Sequence, residues 1–456
     1  MCVLISALVL LLSLPGLAIA EDTPAAADGP ALQRLIDGGG AVRLERRSYR
    51  IANTLTIDLD KSGFTSICGD GVARIVMAGP GPALRFVGTH MKSAAPADFE
   101  PRVWERQRMP LVDGVEIIGD HPESVGIEAA GTMQLTITRT RLQGLLHGIH
   151  LVKNNRNIVI SDCHIYDNRG IGVFYDDVNL HQSNVIGCHI SYNKQGGIVT
   201  RGGMVRNLQI GTCDIEANQD TKGPPAANIL LDSSGGSTGE VAIVGCTVQH
   251  GDGAPNSANI RIVGKGKTER QTDTEEGHVT IGENVLSDVR INIDLKHARG
   301  VTITGNTFWM GYDYNLLVED SSNIVVGPNN MDRNPRYAHS KAETSTGAVL
   351  FRRTRDSTIT GLHVNGNWHA PAAVGFEDCS RLNITGLAVV DSDNVNLLLK
   401  DVSHSLVSGC LIRDDRTDAK STSLKVTGGG GNLIRDNLFG SPPEIDPKSA
   451  FPIPRD

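Results

Sequence analysis

Aromatic residues make up only 4% of this 456-residue chain, a scarcity that suits a narrow interior filled by stacked aliphatic side chains. Positive charge is not in excess either. The formal net charge of −8 leaves no basic footprint and argues against nucleic acid as the main partner. An acidic ligand would have to be held by a local basic patch rather than by overall attraction. No apolar run is long enough to span a bilayer. The longest covers residues 3–14 and leads through Pro15-Gly16 to Ala18-Ile19-Ala20, so residues 1–20 read as a secretory signal peptide with Glu21 as the mature start. That reading places the protein outside the cytoplasm, secreted or periplasmic, although no Lys or Arg precedes the run. His/Cys zinc spacing, a P-loop, a dinucleotide fingerprint and the Gly-Gly-x-Gly-x-Asp calcium repeat are all missing.

What is present is a period. Asn157-Ile-Val-Ile-Ser-Asp-Cys163, Asn184-Val-Ile-Gly-Cys188 and Asn207-Leu-Gln-Ile-Gly-Thr-Cys213 put cysteines 25 residues apart each time. The phase continues through Cys246, Asn284, Asn306, Asn329, Leu362, Leu387, Cys410 and Asn437. A fixed period of this size marks a solenoid whose units bury their apolar faces only against one another. Within each unit, short runs of alternating Ile, Val and Leu are punctuated by Gly or Asn, as in Gly197-Ile-Val-Thr-Arg201 and Asn259-Ile-Arg-Ile-Val263. Period-2 alternation predicts strands, and the 51 glycines supply turns.

Seven cysteines follow the signal peptide, an odd number. Stacked coils hold equivalent side chains parallel at about 4.8 Å, whereas a disulfide needs Cβ atoms about 4 Å apart and facing each other. Buried free thiols are therefore expected, with the asparagines of the same phase extending the ladder by bonding turn backbone in the neighbouring coil.

Three strands in a coil of about 22 to 25 residues resemble the pectin-lyase-like superfamily, with its repeat n-x-x-I-x-x-N-x-I-x-x-N-x-x-G-I-x-L. The stretch from Pro30 through Gly38-Gly-Gly40 to Tyr49-Arg-Ile and Leu55-Thr-Ile resembles the entry coil of pectate-lyase-like and tailspike-like proteins. The resemblance implies an all-β fold, a right-handed parallel β-helix solenoid with an N-terminal capping helix. Residues 21–456 then form one domain: a cap over 28–60, coils to about 440, and a Pro-rich surface tail over 441–456. In the cap, Leu32, Leu35 and Ile36 are expected on one helix face.

Strand alternation predicts one exposed wall. Its first column takes His150, Gly172, Val199, Leu230, Arg261, Asp294 and Val349. Its second takes Phe174, Arg201, Asp232, Lys296, Glu319 and Phe351, with Tyr175-Asp176-Asp177 at an adjoining turn. Insertions at 89–111, 219–226, 249–257, 265–277 and 331–346 would raise the edges into a groove. Trp309, Tyr312, Tyr314 and Trp368 lie in turns leading into this face, where rings could stack on sugars or simply pack loop on coil. Equally, charges on an exposed sheet can be an alternating-sign ladder that only solubilises.

Two chemistries fit a groove of this kind, with a polysaccharide, and an acidic one, as the partner. In β-elimination on a uronate, Arg201, Arg261 and Lys296 could neutralise the carboxylate, with Lys296, His150 or Tyr175 as base. In glycoside hydrolysis, Asp232 and Asp294 lie two coils apart, roughly 9.6 Å, at the edge of the inverting window. The catalytic candidates are thus Lys296, Arg201, Asp232, Asp294 and Arg261, with His150, Tyr175, Asp176, Asp177, Glu319, Trp309 and Tyr312 as substrate contacts. No metal-ligand set is predicted, though Asp176, Asp177 and Asp232 could hold Ca2+. The polygalacturonase motif set has only partial echoes in Asp176-Asp177 and Arg261-Ile-Val, with Arg201-Gly-Gly where its His belongs. The Asp-Pro-His motif of mannuronan epimerases is absent. A lyase is favoured because the cluster holds as many cations as carboxylates; hydrolase, epimerase and non-catalytic glycan-binding or structural roles are the alternatives.

Overall fold

The structure, a computed structural model, describes residues 28–92, 96–265, 276–334 and 342–449. Residues 1–20, read above as a signal peptide, and the last residues of the tail lie outside them. The chain winds as a right-handed parallel β-helix in which every coil pairs with the next in parallel register, for example Ile165 with Ile190 and Ile190 with Ile215. Three sheets run along the cylinder. We call the one containing Gly81–Val87, Ile198–Arg201, Ala258–Val263 and Val289–Lys296 the wall.

The period originates in the turns and the interior. Asp162, Gly187, Thr212 and Gly245 stack at successive corners, all in the left-handed region with φ between 51° and 67°. Each is followed by a cysteine, Cys163, Cys188, Cys213 or Cys246, fully buried and donating its thiol to a backbone carbonyl such as that of Ser161 or Gly211. All seven described cysteines are free thiols, because parallel side chains in stacked coils do not face one another. The sulfur of the preceding cysteine, and then burial, push the thiols of Cys188 and Cys213 up to about 12.

Asn284, Asn306 and Asn329 extend this ladder. The Nδ2 of Asn284 donates to Ile243 O, and its own backbone N–H donates to Asn306 Oδ1 at 3.0 Å. A second asparagine ladder runs beneath the wall, where Asn168, Asn193, Asn218, Asn228, Asn259, Asn292 and Asn315 pass side-chain hydrogen bonds of 2.7 to 2.9 Å from coil to coil. Each amide satisfies buried backbone that a turn would otherwise leave unpaired.

The cap helix spans Gly29–Asp37 and buries Leu32 and Ile36, while Leu35 points to solvent at 58% exposure. Its Gln33 closes the open edge of the array: the side chain accepts from Thr56 N–H and donates to Thr56 O, standing in for the missing coil. At the other end the tail adds one further short strand, Glu444–Ile445, over Lys425–Val426.

Candidate functional site

The wall carries two outward rows. The first runs Arg85, Glu128, His150, Phe174, Val199, Leu230, Arg261, Asp294, Leu317, Leu350 in register. The second runs Asp176, Arg201, Asp232, Val263, Lys296, Glu319, Arg352, Glu377. Arg201, Asp232, Arg261, Asp294 and Lys296 therefore share one sheet, as the alternation predicts.

The assignment fails at two coils. Phe174, not Gly172, stands beside His150, because the strand begins at Val173 and runs unbroken to Ile186. This places Tyr175 inside, fully buried with its hydroxyl 2.7 Å from Ser183 Oγ, where burial raises its pKa. It cannot touch a ligand on the wall. Six coils further, Val349 and Phe351 point inward, and Leu350 and Arg352 take the outward rows. A one-residue misreading there exchanges the two faces.

Most of the charges compensate one another. Arg261 Nε donates to Asp294 at 2.7 Å with the two side chains only 12% and 15% exposed, and its Nη2 holds Asn256 O. Arg352 bridges Glu319 and Glu377 at 3.0 and 2.9 Å. Asp232 accepts from the backbone and hydroxyl of Ser234, leaving its second oxygen 3.9 Å from Arg201. Asp177 is spent on a turn, accepting from Gly203 N–H. Lys296 is exposed and makes no ion pair among the described residues.

A partly buried cluster of titratable groups lies around His150. Its Nε2 is 2.9 Å from Asp176 and its Nδ1 3.7 Å from Glu128, whose other oxygen is held by Arg85. Burial pulls this imidazole down, but the two carboxylates outweigh it and its pKa is raised. His147, in the turn before the strand, lies 5.4 Å from His150 and 5.2 Å from Phe174, centroid to centroid. Burial, and then the charge of His150, lower its pKa to about 4. Its Nδ1 accepts from Ile171 N–H, so the neutral ring presents Nε2–H. Arg201 reaches over Phe174 at 5.9 Å. Phe174, Val199 and Ile171 form an apolar strip with Leu230 beside the charged row of Asp176, Arg201 and Asp232. Neither His147 nor Glu128 was expected in the centre. Glu128 was readable on the outward row, but His147 lies in a turn, where alternation says nothing.

The aromatics are less available than their positions suggest. Tyr312 is 7% exposed, its hydroxyl pushed up to about 12 by burial. Trp309 and Trp368 line a small cavity of about 40 Å3 at the turn edge, where Arg333 lies 4.2 Å over the Trp368 ring. That volume admits water but not a sugar ring. On the opposite side of the wall, Phe99 and Val103 of the insertion pack on Met133, with His90 stacked 4.0 Å on Phe99. Among the described residues, no group of three or more His, Cys, Asp or Glu side chains converges as a metal set, the three aspartates considered for Ca2+ included.

Two family descriptions match the chain: a right-handed β-helix region over residues 111–268, and the periplasmic copper-binding protein NosD over residues 240–448. No curated protein matches it in sequence. Among solved structures it is similar to a tailspike variant of Escherichia coli bacteriophage HK620 in complex with a pentasaccharide, at 11% identity and TM-score 0.51, covering 92% of this chain and 79% of that one. It is also similar to the A-module of the mannuronan C-5 epimerase AlgE4 of Azotobacter vinelandii, at 14% identity and TM-score 0.35, covering 94% and 97%. The third is tailspike protein 3 of bacteriophage CBA120, at 12% identity and TM-score 0.40; the match covers 94% of this chain but 58% of the tailspike. At these identities the likeness is one of fold.

Proposed function

Proceeding from a chain that is a right-handed parallel β-helix of the pectin-lyase-like superfamily, we propose that it is an exported enzyme that binds an acidic polysaccharide along the wall and cleaves it by β-elimination. The observation that carries this reading is the centre at His150, where an imidazole held by Asp176 stands next to the exposed cation Arg201 and an apolar strip. The leader-like residues 1–20 and the periplasmic description of the NosD match support export.

Three bases were conceivable. Tyr175 is buried, and Lys296 stands three coils from Arg201 along the same row, about 14 Å, too far for both to serve one sugar. His150 remains. With Nε2–H donated to Asp176, its Nδ1 carries the lone pair that takes the proton adjacent to the uronate carboxylate. Arg201 neutralises that carboxylate and stabilises the charge that develops on it. The electron pair released from the C–H bond forms the double bond as the glycosidic oxygen leaves, and that oxygen takes a proton from solvent water. His147, neutral and presenting Nε2–H, can hold an oxygen of the same sugar. Lys296 and the Glu319–Arg352–Glu377 chain contact the polymer further along. Copper, which the NosD description implies, finds no fit: Cys246, Cys379 and Cys410 of the matched stretch are buried and bonded to backbone, and among the described residues no His, Cys, Asp and Glu set converges.

The pairwise neutralisation along the wall favours a second reading, a glycan-binding or structural protein without catalysis. A panel of uronate and neutral polysaccharides separates the two. The lyase yields unsaturated, ultraviolet-absorbing products. A hydrolase yields new reducing ends without them, and a binding protein retards the polymer in electrophoresis and yields neither. Absence of unsaturated product from every uronate polymer would sink the lyase reading.

A further inference from the structure

We propose that an arginine-lined cleft at the corner between the other two sheets, away from the wall, is a second binding site for an anionic glycan segment. The corner is made where the strands Thr65–Met77 and Leu111–Gly119 bend at Gly71 and Gly114, with φ of 75° and 63°. The cleft encloses about 530 Å3, within the range of small-ligand sites. Arg46, Arg47, Arg74, Arg139 and Arg141 line it, against one carboxylate, Glu116.

Glu116 is shared between Arg74 and Arg141. Just outside the lining, Asp28 holds Arg47 and Asp113 holds Arg139. Even with those two counted, the corner keeps an excess of two positive charges in a chain whose net charge is −8. Arg46 is exposed and makes no hydrogen bond or ion pair among the described residues. Arg141 Nε is buried without an acceptor, a donor left unmatched by the protein itself. Guanidinium forks match carboxylates bidentately. Val72, 52% exposed on the lining, offers an apolar contact for a sugar face. The choice of a carboxylated glycan over another anion rests on the reading of the wall. The cleft would anchor one stretch of polymer while the wall works on another.

The test uses the full chain carrying Arg201→Ala and Lys296→Ala, so that binding at the wall is weakened, with trigalacturonate as the probe in calorimetric titration. Retained binding that Arg46→Glu weakens at least about tenfold, Arg46→Ala less, at unchanged melting temperature, supports the cleft. Binding that either substitution leaves unaltered, or that the wall substitutions alone abolish, overturns it. Pyrophosphate titrated in parallel separates sources: if it binds and trigalacturonate does not, the glycan assignment is wrong. If the cleft binds trigalacturonate in this variant while the wild-type chain cleaves no polymer, the wall's chemistry is overturned and the cleft stands.

Discussion

The imidazoles of His147 and His150 lie 5.4 Å apart, yet their surroundings shift them in opposite directions. Burial pushes His147 down to about 4, whereas at His150 the carboxylates of Glu128 and Asp176 outweigh burial and raise the pKa. The signs follow. His147 is depressed below the ordinary 6.5, so its stabilisation is complete above 6.5 and is lost as pH falls towards 4. The difference corresponds to about 3 kcal/mol. His150 is raised, so its contribution is complete below 6.5 and is lost as pH rises through its folded pKa. Urea unfolding of wild type and His147→Asn between pH 7 and pH 4 should converge on acidification, the wild type losing more. Parallel curves would mean that His147 is not the buried neutral group described.

For cleavage, the same raised pKa means that His150 becomes a base only above the ordinary histidine range. The kcat/KM of elimination should rise with pH through a limb above 6.5, and Asp176→Asn, by removing the partner that raises it, should move this limb to lower pH. His150→Ala and Arg201→Ala should each cost about 10² to 10⁴ in kcat, the exposed Arg201 with no change in melting temperature. Lys296→Ala, three coils away, should act mainly on KM. An unshifted limb in Asp176→Asn would remove His150 from the base role.

Asp294 separates structure from chemistry on the same wall. Its partner Arg261 is only 12% exposed, so Asp294→Ala leaves a nearly buried guanidinium with Asn256 O alone. The expected loss is about 3 kcal/mol, and Arg261→Met/Asp294→Leu should recover most of it. Chemical denaturation of the single and double variants measures this. If Asp294→Ala is neutral in stability but lowers turnover, Asp294 belongs to the reaction and not to the scaffold.

Fold and wall were legible for one reason: stacked coils repeat the same turn residues at the same φ, and alternation assigns faces by parity. Cys163, Cys188 and Cys213 could be read as a ladder because nothing interrupts the 25-residue spacing between them. Register slipped by two residues where glycine suggested a strand start too early, at Gly172, leaving the faces right, and parity slipped where one residue was miscounted, at Val349. Leu35 was misassigned because the helix is docked by a stripe only as wide as Leu32 and Ile36. The centre was half visible. Outward charges can be listed from alternation, but which of them spend themselves on each other depends on coil-to-coil register. His147 sits in a turn, where no periodicity applies.

The thiol ladder gives a prediction independent of function. Without reductant, iodoacetamide should label Cys68, which is only half-buried, in the native protein, while Cys163, Cys188, Cys213, Cys246, Cys379 and Cys410 react only after unfolding. Peptide mass spectrometry reads each site. Native labelling of Cys188 or Cys213, or a disulfide between any two of the six, would contradict thiols enclosed in stacked coils and pushed to about 12.

The asparagine ladder beneath the wall should be costly to interrupt, because each amide serves two coils. Asn193 is fully buried; its Oδ1 accepts from the backbone and side chain of Asn168, and its Nδ2 donates to Ile165 O and Asn218 Oδ1. Asn193→Leu, close in volume, leaves both neighbours with unmatched groups where water cannot reach. About 3 to 5 kcal/mol should be lost, since each buried polar group without a partner costs about 1 to 3 kcal/mol. Asn193→Asp keeps the acceptors and loses the donor, and should fall between. Because the wall strands on either side are registered by these amides, Asn193→Leu should also lower turnover more than the same loss of stability imposed elsewhere, for instance by Ile281→Ala. Equal turnover in the two variants at matched stability would mean that the ladder holds the coils together without setting the spacing of Asp176 and Arg201.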